Sequence, residues 1–406
     1  MTLLHPKSRQ PTKLGNIVSF KTGKLNSNAA TPNGLFPFFT CSPTTLRTDS
    51  FSFDTECVLM AGNNASGVYT IKYFNGKFDA YQRTYIIRSL HDERLLNRFL
   101  YYALQTKLEM LKSISTGAAT KFLTLMILRD IEIVLPPLSI QRKIAAVLSA
   151  YDDLIENNTR RIKILEELIH SIYREWFVNF RFPGHEKVRM VDSKLGKIAE
   201  GWAITGVGSL ITELKERYKG DADIPVLSVT SESKFVYSEE YFNKRVYSKS
   251  LNNYKVVHRN NFAYNPSRIN IGSIAFMDNY DLGGGKGIVS PMYSVFKITS
   301  DKILPYFLWL TIKQDNVFNQ IKKLCYGTVR QTFKFSDLQL IKFALPPLDL
   351  QLCFDSYVSV AKTLIDNLTN ENEILSQTRD LLLPRLISGD LDASELDIIA
   401  NDSGGD

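Results

Sequence analysis

Polar side chains crowd one short stretch of this 406-residue chain, Asn265-Pro266-Ser267-Arg268-Ile269-Asn270, which Gly272 closes. Asn265, Ser267, Arg268 and Asn270 are the residue types that meet base edges. Arginine or lysine suits guanine, asparagine or glutamine suits adenine, and an apolar group suits the thymine methyl. The same side chains could instead hydrogen-bond the loop to itself. An equivalent place in the first half is Asn63-Asn64-Ala65-Ser66, after the apolar run Val58-Leu59-Met60-Ala61, so Asn63, Asn64 and Ser66 are candidates there. Gln82 and Arg83 are further candidates in that half. Lys121 and the pair Arg330-Gln331 precede the two terminal strands, and Lys286 sits in a glycine run. These four could hold phosphates or reach bases, and a solvated surface role suits them equally well.

Chemistry of the chain's own is harder to place. Methyl transfer to a base amine needs an Asn/Asp-Pro-Pro-aromatic loop, and Asn265-Pro266-Ser267-Arg268 lacks both the second proline and the ring. Gly283-Gly284-Gly285-Lys286-Gly287 resembles a phosphate loop. However, Lys286 is followed by glycine rather than serine or threonine, and position 280 is Tyr280, so it reads as a flexible loop. His5, His91, His170, His185 and His258 show neither metal-ligand spacing nor a triad. Cys41, Cys57, Cys325 and Cys353 lie far apart, as ordinary buried thiols of a reducing compartment would. No catalytic or metal site is expected.

What positions the candidates is a repeat. Leu135-Pro136-Pro137-Leu138-Ser139-Ile140-Gln141 returns as Leu345-Pro346-Pro347-Leu348-Asp349-Leu350-Gln351, and Gly117 and Gly327 precede the copies at equal distance. In each copy a short apolar strand, Ile131–Leu135 or Ile341–Leu345, is stopped by two prolines. Ser139 or Asp349 should then cap a helix. The first helix carries a four-three seam: Ile144, Leu148, Tyr151, Ile155, Asn158, Ile162, Leu165, Ile169, Ile172 and Trp176. The second carries Phe354, Val358, Ala361, Ile365, Leu368, Asn372, Leu375, Arg379 and Leu382, with Pro384 ending its regular part and Gly389 closing the turn. Such spacing predicts a coiled coil. Antiparallel pairing would bring Asn158 near Asn372, where a buried pair fixes register at a cost in stability; the alternative is that both asparagines are partly solvated.

The fold class expected is mixed α/β (α+β): two irregular α/β domains separated by two long helices that form an antiparallel coiled coil. The boundaries are 1–135 for the first domain, 136–182 for the central helix, 183–345 for the second domain, 346–390 for the last helix and 391–406 for a flexible tail. Late helices are expected at Leu95–Ile114 and Tyr306–Leu324, and strands at Val68–Ile71 and Ile274–Met277. The domain openings correspond loosely, Lys13-Leu14-Gly15-Asn16-Ile17 with Gly206-Val207-Gly208-Ser209-Leu210. Apolar residues make up 44% and charged residues 22%, a normal globular balance, and the net charge of +7 suits a folded surface facing a polyanion. No apolar run reaches the roughly 18 residues of a membrane span, and no secretion signal is visible, which points to the cytoplasm.

The two Leu-Pro-Pro-Leu…Gln helix openings, the long helices and the terminal Leu382-Leu383-Pro384-Arg385-Leu386-Ile387-Ser388-Gly389-Asp390 together resemble the specificity subunits of type I restriction-modification enzymes. Glu200-Gly201-Trp202 is similar to the start of a recognition half in that family. The resemblance covers essentially the whole chain. It implies a non-catalytic subunit with two target-recognition domains, each reading half of a split site on double-stranded DNA. It also implies two methyltransferase (modification) subunits that dock on the helices, flip adenine for N6 methylation and carry the S-adenosylmethionine. A restriction nuclease-translocase subunit can join. Two departures stand out. The first domain has no counterpart of Gly201-Trp202, and Arg142-Lys143 of the first helix is Leu352-Cys353 in the second. A helix of about 35 residues spans about 50 Å, room for two reading domains about one DNA turn apart. The alternatives are a coiled-coil scaffold that reads no sequence, which would enrich none from random duplexes, and a self-sufficient DNA methyltransferase, which would bind cofactor by itself.

Overall fold

A computed structural model describes residues 11–394 except 66, 116, 118, 119, 221–223, 243–247, 249, 279–281, 283 and 326–331. The chain separates into two compact units, residues 1–159 with 370–406 and residues 160–369. Both are mixed α/β.

In the first unit, six strands form a sheet in the order β2 (Val18–Thr22), β8 (Thr84–Ser89), β5 (Phe53–Ala61), β7 (Ile71–Ala80), β3 (Phe36–Phe39) and β4 (Leu46–Thr48). All neighbours are antiparallel except β3 and β7. β7 begins only at Ile71, because Val68 stands exposed rather than on a core face. The expected late helix is broken into α1 (Asn97–Gln105) and α2 (Leu108–Ile114), with the Thr106 hydroxyl taking the Ala103 carbonyl at 2.8 Å where the first ends. After α2 come the short β9 (Lys121–Phe122) and α3 (Leu125–Arg129). β1 (Pro11–Lys13) pairs with β10 (Glu132–Val134), the strand that leads into α4 (Leu138–Tyr173). One core joins the sheet to α1 through Val58, Met60, Phe99 and Leu100, and reaches α4 through Ile144 and Leu148.

The second unit builds the same frame from different residues. The hairpin β11 (Met190–Ser193) and β12 (Gly196–Ala199) leads to β13 (Ala203–Gly206), which pairs with the last strand β22 (Lys342–Leu345). One four-stranded sheet has the order β14 (Ile211–Leu214), β21 (Ser294–Ile298), β18 (Asn261–Tyr264), β19 (Ile274–Phe276). The other has the order β16 (Phe235–Tyr237), β15 (Val226–Val229), β20 (Lys286–Val289), β17 (Lys255–His258). The helix α5 (Ser238–Phe242) follows β16. The late helix is again split, into α6 (Pro305–Ile312) and α7 (Asp315–Leu324), and α8 (Phe335–Leu338) precedes β22. Trp202 is buried against Phe177, Phe180 and Phe182, so the Gly201-Trp202 opening seats on the residues that follow α4.

The openings agree in detail. The Leu14 amide donates to the Ile131 carbonyl and the Val207 amide to the Ile341 carbonyl, both at 2.8 Å. A β-carbon on Gly15 would lie 3.1 Å from the Arg129 side chain, and one on Gly208 would lie 2.7 Å from that of Gln339, so close approach explains both glycines.

Within the first unit the start of α4 and the end of α9 (Leu348–Ser388) run antiparallel. Arg379 reaches Asp152 at 2.7 Å and Asn372 reaches Thr159 at 3.4 Å, one heptad on along α4 and one back along α9. Arg379, a seam position, is therefore neutralised by Asp152, which also accepts from Tyr102 at 2.7 Å. In the second unit the other halves pack through Ile169, Tyr173, Phe354, Val358 and Ala361. None of the expected seam positions is exposed.

Four local expectations are corrected. Both helices start at the leucine after the proline pair, with the Gln141 and Gln351 amides donating to Pro137 and Pro347 carbonyls, so Ser139 and Asp349 lie inside the first turn. Pro384 lies within α9 rather than ending it: the last turn is held by burial of Leu386 and Ile387, and Gly389, at φ 86, closes it. Asn372 bonds Thr159, not Asn158, leaving the buried Asn158 Nδ2 and Asn372 Oδ1 without partners. All four cysteines are free. Only Cys57 is fully buried, with its thiol pushed up to about 12 by that burial, whereas Cys353 is exposed. Among the described residues no helix is long and apolar enough to cross a membrane.

Candidate nucleic-acid interface

β5 delivers the chain to Gly62, whose amide donates to the Arg83 carbonyl at 2.8 Å; a β-carbon there would sit 2.5 Å from that oxygen. β6 (Asn63–Asn64) then pairs with β9, Asn63 opposite Phe122 and Asn64 opposite Lys121. The Leu123 amide closes the pair on the Gly62 carbonyl at 2.9 Å. The Arg83 guanidinium lies over the Phe122 ring, 5.8 Å from its centroid, a cation–π contact that presents the exposed arginine without an acidic partner among the described residues. Gln82 is its exposed neighbour. Asn63, Asn64, Gln82, Arg83 and Lys121, chosen from three separate stretches, thus form one patch. Three amides, an arginine and a lysine on one rim can offer donors and acceptors to base edges and positive charge to phosphates.

Sequence reasoning missed three members of this patch. The Cys41 thiol donates to Asn63 Oδ1 at 3.0 Å and approaches the Arg83 carbonyl at 3.5 Å. Phe122 supplies the ring under Arg83. Lys112 flanks Lys121: a β-carbon on Gly67 would meet the Lys121 side chain at 3.4 Å and that of Lys112 at 3.5 Å. Tyr85 donates to the Leu123 carbonyl at 2.9 Å, and burial raises its phenol, so it stays a donor beneath the patch.

The second unit repeats the arrangement at the equivalent place. The Phe333 amide donates to the Pro266 carbonyl at 3.0 Å, as Leu123 does to Gly62. Asn265 is buried and its Oδ1 accepts from the Ser267 amide at 3.0 Å, while its carbonyl takes the Arg268 amide at 3.0 Å. This side chain therefore shapes the loop. Ile269–Ile271 makes a 3-10 turn that ends at Gly272, where φ is 98 and a β-carbon would strike the Ser231 carbonyl at 2.3 Å. Ser233 Oγ donates to the Gly272 carbonyl at 2.9 Å and Ser273 Oγ to the Val229 carbonyl at 3.0 Å. The loop is thus fastened at both ends. Arg268 is exposed on it, with no hydrogen bond or ion pair to its guanidinium among the described residues, and Ser267 and Asn270 are half-buried beside it.

Lys286 is exposed and opens β20 opposite His258. Because Gly284 and Gly285 run into a strand, they offer no helix N-terminus to an anion, unlike a phosphate loop. Ser66, Arg330 and Gln331 lie outside the described residues. Among the described residues no group of three or more His, Cys, Asp or Glu side chains is placed to hold a metal ion.

Both frames hang from one glutamine each. Gln141 is fully buried; it accepts from the Leu96 amide at 3.0 Å and donates to the Arg94 and Pro136 carbonyls, both at 2.8 Å. Gln351, equally buried, accepts from the Leu304 amide and donates to the Lys302 and Pro346 carbonyls, all at 3.0 Å. Each clamps the residues before α1 or α6 onto the opening of a long helix.

A family model described as the type I restriction modification DNA specificity domain matches residues 6–167. The type I restriction enzyme EcoDI specificity subunit of Escherichia coli is 32% identical over 179 residues, 44% of this chain and 39% of that subunit. The chain thus spans well under half the length of that relative. The MjaIX specificity subunit of Methanocaldococcus jannaschii is 27% identical over 318 residues, 74% of this chain and 71% of that subunit. Among solved structures, the S subunit of a type I restriction-modification system from M. genitalium superposes over 95% of this chain and 98% of that one, with a TM-score of 0.59 and 16% identity. At that identity the likeness establishes the fold alone.

Proposed function

We propose that this chain, which is similar to type I restriction-modification specificity subunits, is the non-catalytic DNA-reading subunit of a methyltransferase–restriction complex in the cytoplasm. Two target-recognition domains read a two-part, asymmetric site on double-stranded DNA. One observation carries this reading. The Gly62 and Pro266 carbonyls accept equivalent bonds, yet the residues presented beside them differ, Asn63 and Asn64 against Ser267, Arg268 and Asn270. Equal frames with unequal side chains imply unequal half-sequences. In the first domain Asn63, Asn64, Gln82 and Arg83 face base edges and Lys121 holds a phosphate. In the second, Arg268 reads a base, with Ser267 and Asn270 alongside and Asn265 shaping the loop. Ser66, Lys286, Arg330 and Gln331 remain phosphate or base contacts in this reading.

Modification subunits dock on the helices. In the second unit these expose Leu168, Tyr357, Val360 and Leu364 around an apolar groove of about 630 Å³, a surface that a protein partner would cover. The partner subunits hold S-adenosylmethionine and perform the N6-adenine methylation, and a nuclease-translocase subunit adds restriction. The test is long-read detection of methylated adenine in a host carrying this chain with its modification subunit. One two-part motif should be methylated, and Arg268→Ala should relax one half of it. Methylation that is indifferent to deleting this chain refutes the reading.

A further inference from the structure

Beside the Arg268 loop the second unit has a cavity of about 410 Å³ whose apolar lip has no role in the function above. Its lip is apolar and open: Tyr241 is 53% exposed, Phe242 40% and Met292 48%. Tyr241 and Phe242 stack edge to face, with centroids 4.9 Å apart, which fixes the two rings as one surface. The walls are tied down. Ser228 and Ser238 hydroxyls bond at 2.8 Å, and the Tyr293 hydroxyl accepts from the Val229 amide at 3.3 Å, next to the Ser273 bond that anchors the loop. Arg268 lines the same cavity.

We infer that the half-site read by this unit contains a thymine whose 5-methyl group seats against Tyr241, Phe242 and Met292, next to the base taken by Arg268. The inference rests on the DNA-reading function proposed above and names what one part of that interface recognises. The thymine methyl is the one apolar group a base pair projects into the major groove. A pre-formed apolar lip beside an exposed arginine matches that pattern: charge for an acceptor edge, and hydrocarbon for the methyl next to it.

The experiment uses the chain purified with its co-expressed modification subunit. A randomised duplex library yields the enriched sequence, and Arg268→Ala, by relaxing one half, identifies the half-site of this unit. Each thymine of that half is then replaced singly by uracil, which removes only the methyl. One position should lose about three- to tenfold in affinity, the scale of one buried methyl. Tyr241→Ala with Met292→Ala should abolish that loss while leaving thymines of the other half-site unaffected, and Met292→Leu should keep it. If no thymine in this half responds, or if the loss is unchanged in the double variant, the inference is overturned. If the wild-type complex enriches no sequence at all, the DNA-reading function itself falls, and the inference with it.

Discussion

Replacing Gln141 with alanine removes three hydrogen bonds from a site without solvent access. At about 1 kcal/mol net for each bond, with the Leu96 amide left unsatisfied, the loss should be about 2–4 kcal/mol. The loss should also be local. Gln141→Ala should speed amide exchange at Leu96 and through α1, and Gln351→Ala at Leu304 and through α6, each sparing the other unit. Gln141→Glu separates acceptor from donor. Its carboxylate can still take the Leu96 amide but faces the Arg94 and Pro136 carbonyls with no proton to give, so its folded-state pKa rises above the unfolded value. The folded state then binds more protons across that interval, and stability falls as pH rises through it. Hydrogen exchange with unit-resolved peptides, at acid and neutral pH, reads both effects. A loss below about 1 kcal/mol, or equal loosening of both units by either alanine variant, refutes the clamp.

Lys121→Gln should lower the slope of log affinity against log salt by about 1 while leaving sequence preference intact; a changed preference would make Lys121 a base contact. Asn158→Leu with Asn372→Leu should raise the melting temperature, by about 2–4 °C for each kcal/mol gained, because two buried polar atoms without partners are removed. A sharp drop in a thermal melt would instead count against this reading of the asparagines. In native thiol labelling Cys353 should react first and Cys57 only on unfolding, since burial holds its thiol near 12.

Much of the frame was legible from local chemistry. A strand, two prolines and a four-three seam have short-range causes, and repetition doubled the signal. The role of the glutamine closing each opening was not legible, because two of its three partners are backbone groups 45 to 49 residues away. Pro384 was misjudged for a related reason. Its missing amide predicts a stop, but burial of Leu386 and Ile387 carries the helix on to Ser388. In the interface, residue type alone marked Arg268 and Asn63, since polar side chains beside glycine and proline stand out in sequence. Phe122, Cys41 and Lys112 carry no such mark. They join the patch only because β6 pairs with β9 and Arg83 lies over a ring.

The division between what repeats and what differs has a physical basis. Residues that hold each frame leave little room: Gln141 and Gln351 are fully buried, and a β-carbon on Gly15 or Gly208 would crowd the side chain of Arg129 or Gln339. A change at any of them opens a void, a clash or an unsatisfied amide, so both units keep the same solution. Residues on the rims hang from main-chain bonds instead. The Gly62 and Pro266 carbonyls accept regardless of which side chain follows, and the Gly272 and Val229 carbonyls likewise fasten the second loop through Ser233 and Ser273. Substituting Arg268 or Asn64 therefore alters what is presented to a ligand without altering what holds the presenter. That decoupling lets one frame carry different recognition chemistries at little cost to folding.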